Sequence, residues 1–162
     1  MQIVLQACQW LTDSDIGTRI RESDNLFSAI ETVHVLGVTA TAGTIAIVDL
    51  RVLGALLNRR ALSQVIDPLV KITWIGFSVM LATGALLFWS EADKLYFNVA
   101  FRVKLLLLAA LGVNQWIFHR GERRARAHGN ANLAPRQAKV AAGLSLALWL
   151  GVIVSGRAIA YL

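Results

Sequence analysis

Five ionisable side chains, Glu31, His34, Arg102, Lys104 and Arg157, interrupt stretches that are otherwise strongly apolar. An ionisable group near a bilayer centre costs about 2.5–3.5 kcal/mol or more, so such residues face a protein interior and mark ligand, ion or proton handling. Glu31 and His34 stand three apart on one helix face, which lets the carboxylate reach an imidazole nitrogen or an arginine on a neighbouring helix. Two chemistries suit the set. In the first, Glu31 neutralises Arg157 or Arg102 and His34 is a hydrogen-bonded packing residue. In the second, His34 is a ligand supported by Glu31, while Arg102, Lys104 and Arg157 bind the anionic groups of a cofactor, such as haem propionates or a quinone headgroup.

A haem b held by two histidines needs both at one depth on facing helices. His119 lies roughly 20 Å from His34 by helical rise, and His128 falls in a basic loop, so a bis-histidine haem within one chain is disfavoured. Met80 is closer in depth to His34. The pair His34 and Met80 is therefore the candidate metal site, for haem or copper, against an ordinary packing role for the methionine. Quinone binding, and no cofactor at all, are the alternatives. A second polar layer holds Asp49, Arg51 and Lys71, for which structural ion pairs, Asp49–Lys71 or Asp49–Arg51, are the expectation.

The elements that must position these groups follow from composition. The 162 residues are 56% hydrophobic, yet the net charge is +6 and the pI near 10.3. A mean hydropathy of +0.58 is high for a water-soluble domain. Four windows, 26–50, 68–90, 99–119 and 138–162, approach or exceed the roughly 20 helical residues that cross a hydrocarbon core. Helices are required there, since an open strand would leave backbone amides unpaired in lipid. The fold class is thus all-α, an integral membrane four-helix bundle over residues 26–162, preceded by an interfacial amphipathic segment over 1–25 in which Ser14 caps a short helix and Ile16 and Ile20 share one face.

Pro68 fits a first helical turn and Pro135 the polar stretch before the last span. The connectors are Asn58-Arg59-Arg60, Glu91-Ala92-Asp93-Lys94 and the basic run from Arg120 to Arg136. Small residues (Gly37, Ala40, Thr41, Gly43, Thr44, Gly76, Gly84, Gly143, Gly151 and Gly156) allow close helix approach. Most of the tryptophans, Trp10, Trp74, Trp89, Trp116 and Trp149, sit toward span ends as interfacial anchors would. The basic residues lie in loops rather than on an accessible face, which argues against a nucleic-acid partner. A single cysteine, Cys8, excludes an internal disulfide.

Orientation follows from the loops. With four spans, the termini and the second loop share one side, which carries six of the Lys and Arg residues; the other side carries ten. The positive-inside rule makes the second side cytoplasmic and the two termini periplasmic. The run Arg120 to Arg136 then lies against anionic lipid headgroups.

The motifs Ile30-Glu31-Thr32-Val33-His34-Val35-Leu36-Gly37, Asp49-Leu50-Arg51-Val52-Leu53-Gly54, Phe101-Arg102-Val103-Lys104 and Gly156-Arg157-Ala158-Ile159-Ala160-Tyr161, with Ile20-Arg21-Glu22-Ser23 before them, resemble a family of small bacterial four-helix inner-membrane proteins of unassigned function. The resemblance covers nearly the whole chain. An early-helix histidine and a late arginine are more remotely similar to the membrane domains of copper-resistance D-type proteins and small b-type cytochrome-like bundles. The family resemblance implies a bacterial inner-membrane location and marks Glu31, His34, Asp49, Arg51, Arg102, Lys104 and Arg157, but it supplies no activity.

No Ser-His-Asp set, phosphate loop or zinc-spaced cluster is present in the sequence, which argues against a self-sufficient enzyme. The leading expectation is a membrane-embedded cofactor-binding module serving electron transfer with a periplasmic or membrane partner. A non-catalytic subunit or scaffold of a larger complex, working with a protein partner or as a homo-oligomer, is the second. A small proton or anion transporter is the third.

Overall fold

A computed structural model describes residues 2–56, 62–127 and 135–161. Among them there are seven helices and no strand: α1 (Gln2–Thr12), α2 (Asp15–Glu22), α3 (Asp24–Leu53), α4 (Leu62–Ser90), α5 (Ala92–Phe97), α6 (Val99–Ala127) and α7 (Pro135–Ala158). Four stretches are long and apolar enough to cross a membrane: Asp24–Leu53, Pro68–Ser90, Val99–Phe118 and Arg136–Ala158. Each closes its own backbone hydrogen bonds, as lipid demands.

The helix ends differ from the sequence-based limits in instructive ways. α4 begins at Leu62, so Pro68 lies inside the helix rather than in its first turn. The proline removes one amide donor there, a loss tolerated near a membrane surface where other groups can satisfy the freed carbonyl. α6 continues to Ala127. Much of the expected basic connector is therefore a helical extension, since arginine, glutamate and alanine are good helix formers even where hydropathy has ended. At Arg120 the guanidinium lies over the Trp116 ring, 4.8 Å from its centroid. Pro135 opens α7 at the position where a proline loses nothing. Asn58-Arg59-Arg60 and His128 lie outside the described residues, as do the side chains of His119, Arg123, Arg124 and Arg126.

The chain divides into two compact units. Unit 1, residues 1–44 and 68–99, holds α1, α2, the first part of α3, α4 from Pro68, and α5. In it α1 packs on α5, and Thr12 Oγ1 donates to Asp93 Oδ1 at 3.2 Å. Ser14 caps α2, its Oγ accepting from Gly17 N at 3.2 Å and from Trp89 Nε1 at 2.9 Å while donating to Leu11 O at 2.6 Å. Gly17 is required at that joint, because a Cβ would stand 2.6 Å from Leu11 O. Ile20 is buried as the α2 face requires, whereas Ile16, one turn earlier, remains exposed.

Unit 2, residues 45–67 and 100–162, holds the end of α3, the start of α4, α6 and α7. There α3 stops at Gly54, whose φ of 83° suits only a residue without Cβ. Ala55 N bonds Leu50 O at 2.9 Å and Gly54 N bonds Arg51 O at 3.2 Å, the two closing bonds of a Schellman motif. α6 and α7 run antiparallel: the side chains of Leu107 and Lys104 lie against Gly151 and Gly156, and Asn114 Nδ2 donates to Ala141 O at 3.1 Å.

Candidate functional site

In unit 1 α3 and α4 meet along residues spaced three and four apart, His34, Gly37, Thr41 and Thr44 against Thr73, Gly76, Met80 and Thr83. That spacing is the seam of two nearly aligned helices. Small residues make it close: a Cβ on Gly37 would stand 2.9 Å from the Met80 amide nitrogen, and one on Gly76 would stand 2.8 Å from Thr41 Oγ1. The threonine hydroxyls are satisfied within their own helices, Thr41 Oγ1 donating to Gly37 O at 2.8 Å and Thr44 Oγ1 to Ala40 O at 2.8 Å. Having given its proton away, Thr44 Oγ1 accepts across the seam from Thr73 Oγ1 at 2.7 Å.

His34 meets the same seam: its Nδ1 lies 3.0 Å from Thr83 Oγ1, which also bonds Val79 O of its own helix at 2.6 Å. Gly84 makes room for the imidazole, since a Cβ there would stand 3.1 Å from His34 Cε1. A hydrogen bond that holds one imidazole nitrogen and orients the other is the support that ligand histidines use.

The other expected site residues are distributed unevenly. Glu31, one turn before His34, is exposed. Met80 is buried in the seam one turn along from His34, with its backbone pressed on Gly37. Two axial ligands must flank a porphyrin; consecutive layers of one tightly closed seam leave no room for it between them, so His34 with Met80 does not fit a haem within unit 1. Among the described residues no group of three or more His, Cys, Asp or Glu gathers for a metal ion.

In unit 2 the Lys104 ammonium lies along Gly156, where a Cβ would be 3.6 Å from Nζ, next in sequence to Arg157. Arg157 is exposed; its guanidinium donates to Tyr161 Oη at 2.8 Å and covers the same ring at 5.2 Å. Arg102 is exposed on α6 and Lys71 on α4 of unit 1. Where an ion pair was expected, Asp49 is buried with Oδ2 lacking any hydrogen-bond partner, and Arg51 is half-buried two residues on. On the exposed surface of unit 1, Lys94 pairs with Glu91 at 2.8 Å.

Sequence reasoning missed Thr83 as the partner of His34. Threonines in apolar helices usually bond their own backbone, and only the register of α3 against α4 brings this one to the imidazole. It also misplaced Trp149. Trp10, Trp74 and Trp116 are exposed as anchors would be, whereas Trp149 is buried with its indole nitrogen unpartnered.

Helical content and four membrane-length apolar helices define an α-helical membrane protein. Residues 9–162 match the family of unknown function DUF6644, and the chain belongs to that family. No curated protein and no solved structure matches it, so the remoter likeness to copper-resistance D-type and cytochrome-like domains finds no support in them.

Proposed function

We propose that the chain is a bacterial inner-membrane module, with both termini periplasmic, that binds a redox cofactor at His34 and passes electrons to a membrane or periplasmic partner. The observation that carries the reading is the 3.0 Å contact between His34 Nδ1 and Thr83 Oγ1 in an otherwise apolar seam, which holds the imidazole from one nitrogen as ligand and base histidines are held. A quinol fits this better than haem or copper, because a single imidazole at a hydroxyl proton suffices and no second ligand is needed.

Protein purified from native membranes should carry extractable quinone, lost in His34→Ala and retained in His128→Ala. A Soret band or stoichiometric copper that depends on His34 would instead assign the haem or copper form. Preparations without quinone, Soret band or copper would overturn the reading.

One observation favours a second role as a non-catalytic subunit. Ile3 (81%), Trp10 (70%) and Phe97 (61%) leave an exposed apolar surface on α1 and α5, of the kind that covers a partner or lies in a lipid interface. Stoichiometric co-purification of a larger complex, with no cofactor held by this chain, would select it.

A further inference from the structure

Lys104 lies within the apolar span Val99–Phe118 and is half-buried. Among the described residues no hydrogen bond or ion pair reaches its ammonium. The direction of the side chain follows from α7. Leu107 lies against Gly151, whereas Lys104, three residues earlier on α6, lies against Gly156, five residues later on α7. At about 1.5 Å per residue the lysine therefore reaches about 3 Å beyond its own level, toward the end of unit 2 where α6 begins and α7 ends. A helical Cα–Cβ bond tilts toward the N-terminus, which on α6 is that same end. Gly156 gives the chain its passage: a Cβ there would stand 3.6 Å from Lys104 Nζ, 3.8 Å from Cε and 4.0 Å from Cδ.

Arg157 is the next residue of α7, in its last turn. Its guanidinium is exposed, donates once to Tyr161 Oη at 2.8 Å and covers that ring. Tyr161 lies beyond it in sequence, so the guanidinium is drawn to the same end, with further N–H groups left for another acceptor. The side-chain carboxylates of unit 2 are Asp49, Asp67 and Glu122. Asp49 meets Ser145, about 18 Å along α7 from Arg157. Asp67 follows the end of α3 that carries Asp49, and Glu122 lies far along α6 from Lys104. Arg102, two residues before Lys104, projects from nearly the opposite side of α6.

Two cations thus approach one end of a helix pair to which unit 2 brings no side-chain carboxylate. By helical rise the Lys104 backbone lies about 7–8 Å inside the end of its span, a depth from which an outward-leaning lysine keeps its stem in hydrocarbon and its ammonium at the headgroups. Water there would hydrate the ammonium and leave the charge. A phosphodiester brings the charge and two oxygens, one for the ammonium and one for the guanidinium, both of which are strong phosphate donors. A zwitterionic headgroup would bring a cation of its own to a place with no carboxylate of unit 2 to receive it. We infer that Lys104 and Arg157 form a site for the phosphate of an anionic phospholipid. The site shares no residue with the His34 reading and stands or falls apart from it.

The test is phosphorus-31 NMR titration of the purified full-length chain in dodecyl maltoside, which contains no phosphorus, with phosphatidylglycerol, phosphatidylcholine or inorganic phosphate. Phosphatidylglycerol should broaden saturably. Lys104→Gln should raise its Kd on the order of fivefold and the double variant with Arg157→Gln on the order of twentyfold, while Lys104→Arg keeps it within twofold. The basic extension of α6 is common to all these chains, so the differences between them report this site alone. If the double variant does not fold, Lys104→Gln against Lys104→Arg decides. Equal Kd for wild type and Lys104→Gln would overturn the site. So would phosphatidylcholine binding as tightly as phosphatidylglycerol, or inorganic phosphate binding as tightly as either, which would assign the place to a free anion.

Discussion

Replacing Gly37 by alanine puts the α3–α4 seam to a quantitative test. The new methyl would stand 2.9 Å from the Met80 amide nitrogen and 3.2 Å from its Cα, both inside the roughly 3.5–4.0 Å of an optimal contact. The obstacle is backbone, so the helices must separate. Overpacking of this kind costs about 1–3 kcal/mol, set against about 1 kcal/mol gained because alanine favours helix over glycine. Gly43 supplies the control. It lies two turns along the same helix, and a Cβ there meets nothing within 4 Å, so Gly43→Ala collects the propensity gain alone. The difference between the two variants isolates the steric cost at about 1–3 kcal/mol, a Tm difference on the order of 5 °C for a chain of this size. Reversible unfolding in mixed micelles, followed by circular dichroism, measures it. Variants of equal stability, or Gly43→Ala the less stable of the two, would refute the close seam.

Thr83→Val keeps the shape of the threonine and removes the hydroxyl that meets His34 Nδ1. It should cost about 0.5–1.5 kcal/mol of stability and, where His34 binds quinol, lower affinity on the order of tenfold, read by quinone content against wild type. Ser14→Ala removes the α2 cap and the acceptor of the Trp89 indole, for a loss of about 1–2 kcal/mol; tryptophan emission and limited proteolysis of the first 23 residues report it. For the proposed orientation, Ala160→Cys should react with an impermeant maleimide in intact spheroplasts and Arg120→Cys only after lysis, with the buried Cys8 as background. Gly156→Leu should displace the Lys104 ammonium from α7 and raise its reactivity toward amine reagents, whereas Gly156→Ala, in ordinary contact at 3.6 Å, should not.

The four spans were legible because hydropathy and length are properties of a chain segment, and Pro135 stands before the last of them by a backbone rule that needs no partner. The basic extension of α6 was not, since charge ends a hydrophobic window without ending a helix. Proline 68 misled for a related reason: the apolar window opens there, whereas the helix opens at Leu62. At the candidate site His34 stood out by type alone. Its partner did not, because the meeting of His34 with Thr83, 49 residues away in sequence, follows from the register of two helices. Asp49 was visible as an embedded charge, but its meeting with Ser145 of α7 depends on helix rotation that no periodicity in the sequence specifies.

Ser14 has one further implication. Its hydroxyl uses its single proton and two acceptor positions on three different segments: the end of α1, the start of α2 and the end of α4. No one of these bonds can be exchanged for solvent without rotating the oxygen out of the other two. The N-terminal helices should therefore detach in one cooperative event rather than fray residue by residue, with the Gly17 amide and the Trp89 indole proton exchanging with deuterium at a common opening frequency.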